Sequence, residues 1–191
     1  MSDARLAAVD RILGDSVRAL EAARQAEHGP LLEAISVIAT ACAHRRRVLV
    51  FGNGGSASDA QHVAAEFVVR FQRERKAVPV IALTADSSIL TAMGNDYAFD
   101  RVFARQIEAL GSTGDVALAI TTSGRSPNIL AALRTARAGG LTTIALTGRD
   151  GGEAGSLADI HVNVADGSTA RVQEVQRTLL HVICEIVEEG L

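Results

Sequence analysis

The sequence predicts an α/β protein with a doubly wound, five-stranded parallel sheet flanked by helices. From residue 48 onward, five short apolar segments alternate with segments of helical periodicity, and strands that alternate with helices pair in parallel. Apolar residues make up 48% of the 191 residues and aromatic residues only 3%, so small aliphatic side chains must build the core, as in sheets buried on both faces. This length suits a single domain over residues 1–191.

Two helices are expected before the first strand and a long helix after the last. From residue 3 to about residue 27, and again over 30–43, apolar residues recur at helical spacing. The expected strands are 48–51, 80–83, 116–121, 143–146 and 160–164, which are short and apolar. The expected helices begin at residue 56 and then cover 87–93, 99–110, 126–138, 152–157 and 168–189. Ligands of such sheets bind beyond the carboxyl ends of the strands.

Charge and composition exclude several classes of protein. A net charge of −3 provides no basic field for nucleic acid. The N-terminus has no apolar run of signal-peptide length, and no run approaches the roughly 20 residues that span a bilayer. Cys42 and Cys184 lack the spacing of a disulfide or a metal site and are expected in the core. We expect a cytoplasmic protein with no nucleic-acid or membrane partner.

The segment GNGGSASDAQHVAAE, residues 52–66, directly follows the first expected strand. A strand that stops at Gly-Asn-Gly-Gly and a helix that begins at Ser56 direct backbone N–H groups and a hydroxyl at one spot, where the helix dipole favours negative charge. We therefore expect an anion, most simply a phosphate, to bind at this turn.

A second turn of this kind follows the third expected strand. TTSGRSPN, residues 121–128, joins that strand to a helix beginning at Ser126, with Pro127 suited to its first position. Alone, Ser126 is consistent with an ordinary N-cap, but the two turns together hold more hydroxyl and N–H groups than two caps require. The P-loop lysine and the third glycine of the dinucleotide fingerprint are missing. The turns therefore favour a sugar phosphate and no nucleotide cofactor.

Side chains suited to acid/base chemistry or metal binding occur in two of the expected helices. His62 and Glu66 are four residues apart, on one helix face. The last helix carries Gln173, Glu174 and His181, and its spacing alone pairs His181 with Glu174. Taken singly, the histidines are also consistent with semi-buried structural residues and the glutamates with surface carboxylates.

Three aspartates are candidates for helix caps or ligand contacts. Asp96 lies in MGNDY, residues 93–97, a composition typical of a turn at a helix break, where it could accept hydrogen bonds from sugar hydroxyls. Asp59 and Asp86 are expected in first turns or as caps, although either could line the site.

The motifs GNGGSASDAQHVAAE, GNDYAF, TTSGRSPN, ALTGRDGG and TARVQEVQ, followed by His181, resemble in content and order those of the sugar isomerase (SIS) domain family. The resemblance covers nearly the whole chain. It implies a homotetramer with active sites at subunit interfaces, with the N-terminal helices of residues 1–45 used in oligomer packing. It also implies an aldose–ketose isomerase that converts sedoheptulose 7-phosphate to D-glycero-D-manno-heptose 7-phosphate.

The resemblance implies roles for individual residues. Glu66 would be the base that removes the proton next to the carbonyl, giving an enediol, and His181 the acid that serves the oxygens. Zinc would be held by His62, Glu66, Gln173 and His181. The resemblance therefore favours Gln173 over Glu174 as the residue that acts together with His181. The implied substrate contacts are Asn53, Gly54, Ser56, Asp96, Thr121, Thr122, Ser123, Ser126 and Gln173.

Non-catalytic functions form the alternative. Some SIS-fold proteins sense a sugar phosphate, and others bind the bacterial replication initiator. The initiator-binding relatives tend to lack the acid/base pair, so the presence of both Glu66 and His181 favours an enzyme.

Overall fold

The structure, a computed structural model, describes residues 2–191 and confirms the predicted parallel sheet. In this part of the chain the strands are β1 (Val48–Gly52), β2 (Val80–Ala82), β3 (Val116–Ile120), β4 (Thr142–Gly148) and β5 (Ile160–Val164). They pair in parallel in the order β2-β1-β3-β4-β5. The direction of winding therefore changes between β1 and β3, and the crevice at their carboxyl ends is where such sheets bind ligands.

Helices cover both faces of this sheet. They are α1 (Ser2–Gln25), α2 (Gly29–Ala43), α3 (Gly55–Val68), α4 (Ser87–Asp96), α5 (Val102–Leu110), α6 (Pro127–Ala138), α7 (Gly152–Leu157) and α8 (Thr169–Glu189), with a 3-10 turn, Phe99–Arg101, before α5. α2, α3 and α8 pack on one face, whereas α4 to α7 pack on the other. None of these helices, within residues 2–191, is long and apolar enough to cross a membrane.

The alternation of side chains along the buried strands supplies both cores. In β1, Val48 and Val50 enter the cluster with α2, α3 and α8, while Leu49 and Phe51 enter the cluster on the opposite face. Cys42 and Cys184 are free and buried, as predicted, and burial raises the pKa of their thiols to about 11 and about 12.

Two of the aspartate predictions concern helix ends. Asp86 caps α4, since its carboxylate accepts the N–H groups of Ser88 and Ile89 at 2.9 and 3.0 Å. The expected helix break at residues 93–97 is confirmed, since α4 ends at Asp96, although the helix continues three residues past its expected end at Met93. The N–H of Tyr97 still donates to the carbonyl of Met93 at 3.2 Å, so the helical ladder outweighs the low helix propensity of glycine.

Gly52 allows the end of β1 to pack tightly against its neighbours. A Cβ at this position would lie 2.7 Å from the carbonyl oxygen of Ile120 on β3 and 2.7 Å from the Cβ of Ser56 on α3. Gly94, in α4, has open space where its Cβ would be.

We expect Gly52→Ala to lower the free energy of unfolding by roughly 2 kcal/mol, because strand and helix must separate to admit the methyl group. Gly94→Ala is the matched control and should be neutral or stabilising by up to about 1 kcal/mol. Urea unfolding of both variants measures the difference. Equal stabilities of Gly52→Ala and the wild type would contradict the close approach of β1, β3 and α3.

Candidate active site

The two predicted anion-binding turns meet at the carboxyl edge of the sheet. β1 and β3 are in register, with Gly52 opposite Ile120, so the residues that follow them lie side by side. The side-chain amides of Asn53 and Asn128 exchange two hydrogen bonds, of 2.9 and 2.8 Å. Asn128 is buried. This reciprocal pair joins the two turns into one structure.

The helix starts at these turns present polar groups that are not used as caps. Gly54, the N-cap of α3, has φ 56° and ψ −120°, a backbone conformation that residues with a Cβ rarely adopt. Ser126 is the N-cap of α6 and Pro127 follows in the first turn, as predicted. In the described part of the chain, neither helix has a side-chain cap hydrogen bond, so Ser126 occupies the predicted N-cap position but its hydroxyl does not cap α6. The N–H groups of Ser56 and Ala57 donate to the backbone carbonyls of Asn53 and Gly54 at 3.0 Å, but no side chain of the described residues caps either helix, so both positive helix ends suit an anion.

The turn after β3 is internally braced. The hydroxyl of buried Thr121 accepts the N–H of Gly124 at 3.2 Å, and that of Ser123 accepts the N–H of Arg125 at 3.2 Å. Thr122, between them, is half-buried. The Arg125 guanidinium donates to Asp150, in the loop after β4, and its hydrogen bond holds the pKa of that carboxyl at about 2. The turns after β3 and β4 are thus connected.

α3 and α8 run parallel and contact each other in three places. At the sheet edge, Gln173 lies against Gly55, where a Cβ would be 2.5 Å from the Gln173 amide nitrogen. About one turn further, buried Asp59 accepts a 2.8 Å hydrogen bond from Arg177. Because α3 begins at Gly55, Asp59 is its fifth residue and is neither a cap nor in the first turn; its carboxylate pairs across to α8.

At the third contact between α3 and α8, which is the furthest from the sheet edge, the candidate acid/base residues come together. The Nε2 atoms of His62 and His181 are 2.8 Å apart, so one ring donates and the other accepts. Glu66 Oε1 lies 3.6 Å from the same His62 nitrogen. The ring of Phe71 stands beside His181, with ring centroids 5.6 Å apart. The structure thus brings His62, Glu66 and His181 into one cluster.

Two predicted partners of His181 do not reach it. Glu174 hydrogen-bonds instead to Arg171 at 2.5 Å, so the pairing that helix spacing suggested is wrong. Gln173 rests on Gly55, eight residues or about 12 Å along α8 from His181. His181 turns towards α3, because packing between the two helices, and not spacing within α8, selects its neighbour.

Asp96 lies at the exposed end of α4, where its carboxylate accepts a 2.6 Å hydrogen bond from the Asn95 amide. Within the described residues, no hydrogen bond joins it to either turn. Its implied contact with the sugar remains a prediction.

The residues implied for the zinc site are of suitable types, but their positions do not form a site. Two histidines and a glutamate form a donor set that zinc accepts. Two imidazole nitrogens on one tetrahedral zinc stand roughly 3.3 Å apart, given Zn–N bonds of about 2.0 Å, and the observed 2.8 Å is shorter. Gln173 lies elsewhere, and in residues 2–191 no three His, Cys, Asp or Glu side chains are grouped for a metal. The observed conformation therefore does not form the four-residue site.

Sequence reasoning assigned no role to Asn128 or Phe71. Asn128 stood inside the TTSGRSPN motif, and the asparagine in each of the two turns was the signal that could have paired it with Asn53. No local pattern placed Phe71 against His181, because 110 positions separate them along the chain.

A parallel sheet with two serine-bearing turns at its switch point, and acid/base side chains on the adjoining helices, defines the class of SIS domain proteins. The SIS domain profile matches residues 13–148. Among curated relatives, the phosphoheptose isomerase of Aquifex aeolicus is 54% identical over 159 residues, 83% of each chain, and that of Citrifermentans bemidjiense is 51% identical over 170 residues, 88% of each. The structure of a phosphoheptose isomerase from Neisseria gonorrhoeae superposes with a TM-score of 0.90 at 38% identity, covering 99% of this chain and all of that one. The chain belongs to the phosphoheptose isomerase family.

We expect Asn53→Ala and Asn128→Ala each to weaken the binding of inorganic phosphate about tenfold, because each leaves the other amide unpaired and lets the two turns separate. The double variant should lose little more than either single variant, since the pair acts as a unit. Calorimetric titration measures the affinities, with exposed Asn95→Ala as the control. Additive losses in the double variant would contradict a joined site.

Proposed function

We propose that this protein is an aldose–ketose isomerase that converts sedoheptulose 7-phosphate to D-glycero-D-manno-heptose 7-phosphate. The single observation that carries the proposal is the cluster of Glu66, His62 and His181 on the helices that adjoin the phosphate-binding turns. Identities of about half over most of the chain to proteins named phosphoheptose isomerase support the choice of sugar. The presence of the cluster favours catalysis over the sensor and initiator-binding alternatives.

The reaction divides between the two parts of the site. Ser56, Ser123 and Ser126, with Thr121, hold the phosphate, and the asparagine pair keeps their turns together. Glu66 removes the proton from C1 of the ketose, next to the carbonyl carbon, and returns a proton to C2 of the enediol. His181 moves the proton between the two oxygens. The hydrogen bond between His62 Nε2 and His181 Nε2 couples the two rings, because only one of these nitrogens can carry the shared proton.

We also propose that zinc, if bound, is held by His62, Glu66 and His181 after a small separation of the two rings. Bound there, the metal would polarise the substrate carbonyl. Zinc analysis of the purified wild type and of His62→Ala tests this assignment.

We further propose that the protein is a cytoplasmic homotetramer with its active sites at subunit interfaces. α1 has an apolar stripe of exposed side chains that a second copy would cover: Leu6, Val9, Leu13 and Val17 are each more than half exposed. Its apolar contact with α8 involves the C-terminal part of α1, at Ala19 and Ala23, and Arg171 of α8 also donates to the carbonyl of Ile12 at 2.8 Å. The two free, buried cysteines are consistent with a reducing compartment.

If α1 packs between copies, Leu13→Glu should dissociate the assembly, because it places a charge in an apolar contact. Light scattering should give four chain masses for the wild type and fewer for Leu13→Glu. Glu33→Gln, an exposed change on α2, serves as the control. A monomeric wild type would contradict the proposed assembly.

We expect Glu66→Gln to reduce turnover of sedoheptulose 7-phosphate by at least about a hundredfold, because it removes the base and keeps the shape of the side chain. His181→Gln should also reduce turnover strongly, and inorganic phosphate should bind both variants almost as it binds the wild type. Formation of the aldose phosphate is measured with added zinc and after chelation.

Glu108→Gln, on the opposite face of the sheet, is the control for these variants. Turnover by Glu66→Gln at the wild-type rate would exclude the proposed base. A wild type without turnover would contradict the isomerase itself.

A further inference from the structure

Glu188, near the end of α8, is a buried carboxylate that the proposed reaction does not use; its side chain is only 2% exposed. It accepts hydrogen bonds from the backbone N–H groups of Phe71, Gln72 and Arg73, at 2.9, 2.7 and 2.8 Å. Arg75 Nε lies 3.3 Å from Glu188 Oε1, the oxygen that also accepts the Phe71 N–H. Burial alone would raise the pKa of Glu188, but these N–H groups and Arg75 outweigh it and lower the pKa below its ordinary value.

The bonded backbone belongs to the irregular segment between α3 and β2. Residues 71–73 have no helix or strand of their own to satisfy their N–H groups. Three N–H groups that converge on one carboxylate hold the segment in a single conformation, since a buried donor without a partner costs about 1–3 kcal/mol. Glu188 therefore sets the path of the chain at Phe71.

The conformation of residues 71–73 determines which side chain packs against His181, the candidate acid. The ring of Phe71 lies beside the His181 imidazole, with centroids 5.6 Å apart and planes inclined by 33°. His181 and Glu188 are seven residues apart on α8, so two helical turns place them on similar sides of that helix. The segment held by Glu188 thus returns to α8 at His181.

Arg75 connects the same carboxylate to the candidate base. Its side chain is buried, and its terminal nitrogens donate to the carbonyl oxygens of Glu66 and Phe67, at 2.7 and 2.6 Å. These carbonyls belong to the last turn of α3, where helices lack internal donors and a cation is favourable. The backbone that carries Glu66 is therefore held by a residue paired with Glu188.

We propose that Glu188 is a positioning residue for proton transfer. Through the N–H groups of residues 71–73 and through Arg75, it holds the Phe71 ring against His181 and the end of α3 at Glu66. The inference rests on the proposed isomerase function. Because misplacement of reacting groups by a fraction of an ångström slows the chemical step, loss of this arrangement should reduce kcat. The phosphate-binding turns lie at the other end of α3, so KM should change little.

Glu188→Gln is the first test, because it keeps the size of the side chain but removes its charge and turns an amide NH₂ towards backbone donors. We expect kcat for sedoheptulose 7-phosphate to fall about tenfold with KM within twofold of the wild type. Amide hydrogen exchange at residues 71–73 should become faster. Glu185→Gln, an exposed carboxylate on the same helix, should leave all three quantities unchanged.

A second pair of variants avoids any change to the buried carboxylate. Phe71→Leu keeps the N–H bond to Glu188 and removes only the ring, so exchange at residues 71–73 should be unchanged while kcat falls severalfold. Phe71→Tyr keeps the ring and should keep kcat. In protein labelled with ¹³C-histidine, the His181 ring signals should shift in Phe71→Leu and in Glu188→Gln.

The outcomes separate this proposal from the isomerase assignment. An active wild type whose kcat is unchanged in Glu188→Gln, despite faster exchange at residues 71–73, would overturn the positioning role. If Glu188→Gln does not fold, unchanged kcat in Phe71→Leu overturns it instead. A wild type that does not turn over the heptulose phosphate contradicts the proposed function, and unshifted His181 signals in the variants would then independently reject the positioning role.

Discussion

The parallel pairing of β1 with β3 is the constraint on which the site depends. Consecutive winding would place β2 between them, but β2 lies on the other side of β1, so the turns after β1 and β3 become neighbours. From these turns α3 and α6 leave on opposite faces of the sheet. Their N-termini therefore point at one crevice, and the exchange of hydrogen bonds between Asn53 and Asn128 closes it.

The parallel packing of α3 and α8 extends this crevice away from the sheet edge. Contacts between the two helices change in character along their length, from Gln173 on Gly55, through the Asp59–Arg177 ion pair, to the two histidines. One end suits an anion and the other suits proton transfer. Phosphate binding and proton transfer therefore involve different residues and can be altered separately by substitution.

Periodicity and turn composition predicted the strands, the helices and both anion-binding turns, because these depend on local backbone preferences and on burial. Spacing within α8 predicted the wrong partner for His181, since α3 supplies His62 from 119 positions away. No sequence pattern indicated the role of Glu188, because its backbone donors lie 115 to 117 positions earlier. α4 extends three residues past its expected end at residue 93 because glycine composition alone does not report where a helical ladder stops.

The central claim is that Glu66 transfers a proton through an enediol at the far end of this crevice. Isomerisation of sedoheptulose 7-phosphate in D₂O, followed by mass and NMR analysis of the aldose phosphate, tests it most directly. A carboxylate base whose proton exchanges with solvent should leave deuterium at C2 of the product. Deuterium incorporated at C2 by Glu66→Gln at the wild-type rate would show that another group carries the proton and would contradict the role given to Glu66.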